Sequence, residues 1–406
     1  MKILVVSQYF WPENFRINDL CAELVKRGHE VTVLTGKPNY PVGKVFPEYQ
    51  ANPGAYLHYQ GCKLVRVPMI ARGQGALRLM LNYSAFVVSA SIFGSFRLRK
   101  NHFDVTFVYE PSPVTVCLPA IFIKKIKKTP VVFWVQDLWP ETLEAIGVVK
   151  SPKILALIGQ LVRFIYNRCD LILGQSRAFY PGIAKYCENV AKIRYFPNWS
   201  ENVFSVQKTE PIGEIAADKN VFKVLFAGNV GEAQDFPAIL RSAQLLKKQG
   251  AKTRFYIVGD GRMLDWLKNE IIKGGLEDYV TLLGRHPLES MPSFYASADA
   301  LLATLKDSPV FSMTIPCKVQ SYMTAGKPIL TMISGEGSRV VSEAECGYVA
   351  DSGDFDLLAE NIISMSQLPP DSLKVLGDNA KIYAKKEFDR AKLIDQLENW
   401  FFELTS

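Results

Sequence analysis

Short apolar, β-branched runs recur through the first half of the chain, at residues 3–7, 31–35, 64–68, 105–109, 131–135 and 171–174. Helical stretches, such as residues 18–27, separate most of them. Alternation of this kind predicts a parallel sheet covered by helices on both faces. The pattern restarts at 223–227 and continues through 255–258, 280–283, 300–303 and 329–333. Between the two series, residues 200–220 are polar and carry no strong periodicity, which makes them the natural hinge. The expected fold class is α/β, with two Rossmann-like domains. Open sheets of this type bind ligands at the carboxyl ends of their strands, and two facing each other would make a cleft there.

Residues 310–330 concentrate the most informative chemistry. Pro316 suits a first helical turn, where its missing N–H costs nothing. Val319, Tyr322 and Met323 recur at helical spacing as one apolar face. Gly326 stops the helix, Pro328 stands just beyond it, and residues 329–333 read as a buried strand. Lys318 is the odd residue, a cation in the first turn. The partial positive charge of a helix N-terminus disfavours it there by roughly 0.3–1 kcal/mol. That cost disappears if the lysine and the free backbone N–H groups face an anion such as a phosphate. A solvated surface lysine is the alternative.

Composition narrows the field further. A chain of 406 residues has ample length for two or three cores, and 48% hydrophobic with 21% charged residues is ordinary for a globular protein. The net charge of +7 favours anionic partners: phosphates, nucleotides or an acidic membrane surface. No basic motif with interleaved aromatics points to nucleic acid. The seven cysteines stand singly, with no CxxC pair, and read as reduced, mostly buried thiols of a cytosolic protein. Met1-Lys2 leads straight into a first strand, too short for the core of a signal peptide. The apolar stretch 79–96, with Arg78 before it and Arg97, Arg99 and Lys100 after it, reads as a membrane-touching helix rather than a span. The strip 122–128 (FIKKIKK) adds a second basic and apolar segment. The expected location is therefore cytoplasmic, peripheral on an anionic membrane.

The run 314–330, TIPCKVQSYMTAGKPIL, resembles the donor-site helix of retaining, nucleotide-sugar-dependent glycosyltransferases of family four. The similarity extends nearly end to end and is greatest to the branch building bacterial surface polysaccharides, including O-antigen N-acetylfucosamine transferases. It implies the GT-B fold, with an acceptor domain at 1–200 joined by a returning helix at 387–406, and a donor domain at 201–386. The donor residues it implies on the central segment are Thr314, Pro316, Cys317, Lys318 and Ser321. Others sit at strand ends: Gly228, Asn229, Gly231 and Gln234 in one loop, then Gly259, Arg285 and Glu336. Glycine after a parallel strand lets backbone N–H groups approach a phosphate closely, although a plain βα turn would use the same residues. Two departures matter. Met313 and Ser321 stand where the wider family has two glutamates, so those contacts to sugar and ribose do not transfer. Gln234 replaces a frequent basic residue, which shifts the charge burden to Lys318 and Arg285.

On the acceptor side the informative run is WVQDLWPE, 134–141, closing a strand. It resembles the family's H-D-x-W-P-E segment, with Gln136 where histidine is common. Asp137 is the first candidate for acid/base or charge-stabilising work, with Glu141 behind it. A helix cap near Pro140 is the bland role for Asp137. Residues 8–16, 36–41 and 110–113 sit at other strand ends and would complete the acceptor wall. The resemblance thus implies transfer of a sugar, an N-acetylated 6-deoxyhexosamine, from a UDP-linked donor to a polyprenyl-diphosphate-linked saccharide. No metal or other cofactor is expected, because the aspartate pairs and histidine clusters of metal sites are missing. The rivals are a sugar-nucleotide epimerase of similar fold and a non-catalytic nucleotide-sugar-binding protein.

Overall fold

The structure, a computed structural model, describes every residue except Gln74, Ile146, Glu201, 206–209, Pro211, Ala217 and Lys219. Most of these exceptions fall in the polar segment 200–220, so much of the expected hinge lies outside the described residues. The chain divides into two compact units, Met1–Phe196 with Ala391–Ser406, and Pro197–Arg390.

The first unit is built on eight strands: β1 (Lys2–Val6), β2 (Glu30–Thr35), β3 (His58–Tyr59), β4 (Cys62–Arg66), β5 (Val105–Glu110), β6 (Val131–Val135), β7 (Leu171–Gly174) and β8 (Ile193–Tyr195). They lie in the order β3-β4-β2-β1-β5-β6-β7-β8. Only the β3–β4 pair at the edge is antiparallel. Five of its helices matter below: α1 (Arg16–Lys26), α2 (Ala76–Ser89), α3 (Cys117–Lys127), α4 (Glu141–Ala145) and α5 (Pro152–Arg168). β1, β5 and β6 are buried almost throughout, as uninterrupted apolar runs require when helices cover both faces. The edge strands β3 and β8 have no such run, which is why hydrophobic patterning does not find them.

The second unit holds β9 (Phe222–Ala227), β10 (Thr253–Val258), β11 (Val280–Gly284), β12 (Ala300–Thr304), β13 (Ile329–Met332) and β14 (Gly347–Ala350). All are parallel, in the order β11-β10-β9-β12-β13-β14. This is a doubly wound sheet, whose order reverses between β9 and β12. Its relevant helices are α6 (Phe236–Lys248), α7 (Cys317–Ala325), α8 (Glu336–Glu343) and α9 (Pro370–Glu387). Val319, Tyr322 and Met323 form the buried face of α7, and Gly326 ends it at φ 71 in the left-handed region.

The last helix, α10 (Arg390–Thr405), packs on the first unit. Phe401 meets Phe107 edge-on at 6.0 Å, and Arg27 is bonded to Asp395 and Glu398. His29, which the chain's pattern marks only as a turn residue after α1, belongs to this junction: its Nε2 lies 2.6 Å from Glu398.

Candidate functional site

Each unit presents a candidate site at its own reversal of strand order, where neighbouring loops diverge and leave a crevice. In the second unit β9 runs into Gly228, at φ 139, whose N–H donates to the Val258 carbonyl at 2.8 Å. A Cβ built on Gly259 would stand 1.8 Å from the Gly228 oxygen, so two loops meet here backbone to backbone. A Cβ on Gly228 itself would stand 2.5 Å from Lys318 Cε and 3.0 Å from Nζ. Only glycine permits this approach of the lysine to the loop.

Lys318 arrives there because α7 is fixed against the end of β9. The Ala227 N–H donates to the Tyr322 hydroxyl at 3.1 Å, and Gln320 Nε2 donates to the Asn198 carbonyl at 2.6 Å. Pro316 is the N-cap (φ −62, ψ 135) rather than a first-turn residue, so Lys318 is the second residue of the helix. The lysine as a whole is half-buried, but its Nζ is fully buried and has no hydrogen-bond partner among the described residues. It lies 3.6 Å from the centroid of the Phe226 ring. Burial pushes its pKa down from 10.5 to about 7. A buried ammonium lacking an acceptor is costly, and its position in the first turn of a helix makes an anion the natural complement.

The remaining donor-side candidates separate into near and far. Gln234 is drawn to the same loop: Asn229 Nδ2 donates to its Oε1 at 3.4 Å, and Thr304 Oγ1 to its carbonyl at 2.5 Å. A Cβ on Gly231 would stand 2.4 Å from the Asn229 amide, so this turn is also closed on itself. Thr314 and Ser321 spend their hydroxyls on backbone carbonyls of their own segment, Phe311 at 3.1 Å and Cys317 at 3.0 Å. Cys317 is exposed. The stretch 335–337 opens α8, and both oxygens of the buried Glu336 accept from Arg339, at 2.8 and 3.0 Å. Its carboxylate is therefore occupied within the helix. Arg285 is exposed beyond β11, while His286 packs on Phe294 with ring centroids 4.6 Å apart.

In the first unit the order reverses between β1 and β5. A pocket of about 250 Å³ opens there, lined among others by Tyr9, Arg72, Tyr83, Ser112, Asp137 and Trp139. Asp137 follows β6 and accepts the hydroxyls of Thr142, at 2.7 Å, and Ser112. Ser112 stands at φ 103, an unusual conformation for an L-residue and one that tends to cluster at functional sites. Burial raises the pKa of Asp137, and the two hydroxyls oppose that shift. Behind it, the fully buried Glu110 accepts the N–H groups of Gln136 and Asp137 through Oε2, both at 3.2 Å. Its Oε1 is buried with no partner among the described residues. Burial, and then the charge of Asp137, pushes the Glu110 carboxyl well above the usual carboxylate range. Glu141 does not join this pocket: its Oε1 is held by Lys185 at 2.9 Å and Tyr186 at 3.3 Å.

Sequence reasoning missed Arg72 and Tyr83, which no motif marks. It placed Glu110 only in a wall, although a carboxylate ending a strand was the same signal that marked Asp137. Among the described residues, no three His, Cys, Asp or Glu are grouped to hold a metal ion.

Comparisons with known proteins point one way. Residues 14–199 match the family described as "Glycosyl transferase 4-like domain", and residues 207–383 match "Glycosyl transferases group 1". WcaI of Escherichia coli K12, whose name assigns it to colanic acid biosynthesis, is 25% identical over 80% of this chain and 82% of its own length. AmsK of Erwinia amylovora, an amylovoran biosynthesis glycosyltransferase, is 27% identical over 39% of this chain and 40% of its own. Among solved structures, Anabaena HepE in complex with UDP and glucose superposes with a TM-score of 0.67 at 15% identity, covering 99% of this chain and 100% of that one. WaaG, a glycosyltransferase involved in lipopolysaccharide biosynthesis, gives 0.65 at 14% identity, over 99% of both chains. At such identities the structures establish the fold, which is GT-B.

Proposed function

We propose that this chain, which belongs to the glycosyltransferases through its 4-like and group 1 domains, transfers a sugar from a UDP-linked donor to a lipid-linked saccharide in bacterial surface-polysaccharide synthesis. The observation that carries the donor half is Lys318: a buried, unpartnered ammonium in the first turn of α7, against the Gly228 loop. A nucleoside diphosphate supplies the missing counter-charge, and the lysine then stabilises the same diphosphate as it leaves. That HepE was crystallised with UDP supports the choice of nucleotide.

The acceptor half rests on Asp137, in a pocket with a guanidinium and several aromatic rings. Aromatic faces suit the apolar faces of sugar rings, and Arg72 suits a phosphate. Asp137, less acidic than a free carboxylate, takes the proton of the attacking hydroxyl or stabilises the charge developing beside it. The names of WcaI and AmsK support a polysaccharide product. An N-acetylated 6-deoxyhexosamine as the sugar, and retention of its configuration, follow from the resemblance of residues 314–330.

The test is a panel of UDP-sugars, each incubated with the protein with and without polyprenyl-diphosphate-linked N-acetylhexosamine. The expected result is UDP release and a larger lipid-linked product from one donor, both requiring acceptor. Donor inversion or hydrolysis independent of acceptor would make the protein an epimerase-like enzyme. Donor binding with no turnover on any acceptor would leave a binding protein.

A further inference from the structure

The first unit carries an outer face whose composition no part of the two sites explains. α2 continues through a π-helical turn, Ala90–Gly94, and a short helix, Ser95–Arg97, into a single apolar rod. Leu77, Leu81, Val88, Ile92 and Phe96 recur along it at spacings of four or seven residues and are all exposed, Phe96 at 63% and Leu77 at 66%. α3 lies beside α2 and exposes Phe122 and Ile126; α5 lies beside α3 and exposes Ile154, Leu157 and Phe164. Large apolar side chains in such numbers on neighbouring helices are uncommon on a solvated surface.

Charge on the same three segments is one-sided. Residues 77–97, 117–127 and 152–168 contain eight Lys or Arg and no Asp or Glu. Between α3 and α5 lies an open basic groove of about 440 Å³, lined by Lys124, Lys125, Lys128 and Arg168. Asp170 also lines it and pairs with Lys124 at 2.6 Å, so the other three cations face outward without that acid.

We infer that this three-helix face docks on an anionic lipid bilayer, with α2 lying along the surface, and so sets the acceptor pocket at the membrane. Exposed apolar side chains bordered by cations fit the boundary between acyl chains and negative headgroups. A second copy of the chain would bring cations against cations. Nucleic acid would match the charge but leave the apolar stripe exposed. The rod from Leu77 to Arg97 is long and apolar enough to cross a membrane, but its inner face is committed to the unit. Phe86 and Ala90 are buried, and Asn82 Oδ1 accepts from Gln8 Nε2 at 2.7 Å and from the Tyr9 hydroxyl at 3.1 Å. On that inner side Leu79 and Tyr83 line the pocket that holds Asp137. One helix therefore serves as bilayer contact outside and pocket wall inside. The docking claim is independent of catalysis; the placement of the pocket rests on the lipid-linked acceptor proposed above.

Co-sedimentation with phosphatidylcholine vesicles containing increasing phosphatidylglycerol tests the docking, with no substrate present. Binding should rise with phosphatidylglycerol, weaken with salt, and be released by alkaline carbonate. Ile92→Glu with Phe96→Glu, and separately Lys125→Glu with Lys128→Glu, should each weaken partitioning at least tenfold while leaving the circular dichroism spectrum unchanged. Binding that ignores lipid charge, resists carbonate, or survives both pairs of substitutions overturns the proposal. In a transfer assay, both variants should lose activity on acceptor embedded in vesicles and keep it on a short-chain, water-soluble acceptor. If vesicles bind as expected but no sugar moves to either acceptor, the docking stands and the transferase reading fails.

Discussion

The ammonium of Lys318 lies 3.6 Å from the centre of the Phe226 ring, although the two residues are far apart in sequence and neither lies in a motif shared with the other. Phe226 is fully buried in β9, and its ring offers the desolvated lysine a cation–π contact worth about 2 kcal/mol or somewhat more. That contact holds the side chain in place but does not replace an anionic partner, and the pKa near 7 is the consequence. In the ligand-free protein the lysine therefore gives up its proton far more readily than an exposed lysine does.

Binding of UDP should restore the full charge. Calorimetric titration in buffers of different ionisation enthalpy should show little proton uptake at about pH 6, where the lysine is already charged, rising towards about one proton near pH 9. Buffer-independent heats across that range would remove Lys318 from the diphosphate site.

The same shift fixes how stability should vary with pH. The folded-state pKa of about 7 lies below the ordinary 10.5, so between these values the unfolded chain binds more protons and stability rises with pH. Below about pH 7 both states are charged and the burial penalty is present in full. Lys318→Met should therefore stabilise the ligand-free protein by about 1–3 kcal/mol near pH 6, and by progressively less towards pH 10. It should also weaken UDP binding by about ten- to a hundredfold while sparing uridine. Thermal melts from pH 6 to 10, with calorimetry on both ligands, check both halves; a variant that loses both ligands equally would point to a damaged fold.

Gly228 gives an independent handle on the same contact. A Cβ there meets only the flexible end of Lys318, yet the φ of 139 is itself unfavourable for alanine. Gly228→Ala should thus lower stability by about 1 kcal/mol or more and weaken UDP binding by displacing the ammonium. If displacement is the cause, Gly228→Ala should cost little further affinity once Lys318→Ala has been made. Additive losses in that double-mutant cycle would mean that the loop contacts the diphosphate on its own account.

Asp137→Asn tests the first unit. Turnover should fall roughly 10²–10⁴-fold, with UDP affinity unchanged, because the donor residues named here belong to the other unit. The acid limb of kcat/KM should lie above the usual aspartate range, in the direction that burial shifts Asp137. Full activity in a folded Asp137→Asn protein would reduce its bond with Thr142 to a structural one.

How much of this was legible in the sequence depended on whether the signal was local. Fully apolar strands such as β1 and β6 announce a two-sided sheet, whereas β3, of two residues, is held by pairing with β4 alone. Lys318 stood out because a cation in a first helical turn violates a local rule. Its partner surface did not, since Phe226 looks like any core phenylalanine. Arg72 and Tyr83 reach the Asp137 pocket through a loop and a helix face that no spacing rule connects to β6. At Glu336 the flanking glycines are visible in the sequence, but the pairing of its carboxylate with Arg339, three residues on in the same helix, is not.

Glu110 offers the last prediction, because it separates a holding role from a charge role. Its Oε2 accepts the N–H groups of Gln136 and Asp137, so it fixes the backbone that carries Asp137 into the pocket. The carboxyl is fully buried and pushed well above its ordinary range, so the fold favours its neutral form. For an acid with a raised folded-state pKa, stability is complete below the unfolded value of about 4.5 and is lost as pH climbs from there through the folded value. Glu110→Gln keeps an acceptor oxygen for the two N–H groups and has nothing to deprotonate. Its melting temperature should match wild type near pH 4.5 and exceed it at pH 8. Glu110→Leu takes the acceptor from the Asp137 N–H, while the Gln136 N–H keeps the backbone carbonyl of residue 110 at 3.3 Å, and a buried orphan costs about 1–3 kcal/mol. It should be less stable than Glu110→Gln at every pH and should lose turnover along with Asp137's position. If Glu110→Gln instead lost as much turnover as Glu110→Leu, with its stability preserved, the proton on Glu110 would be part of the chemistry and not merely a condition of its burial.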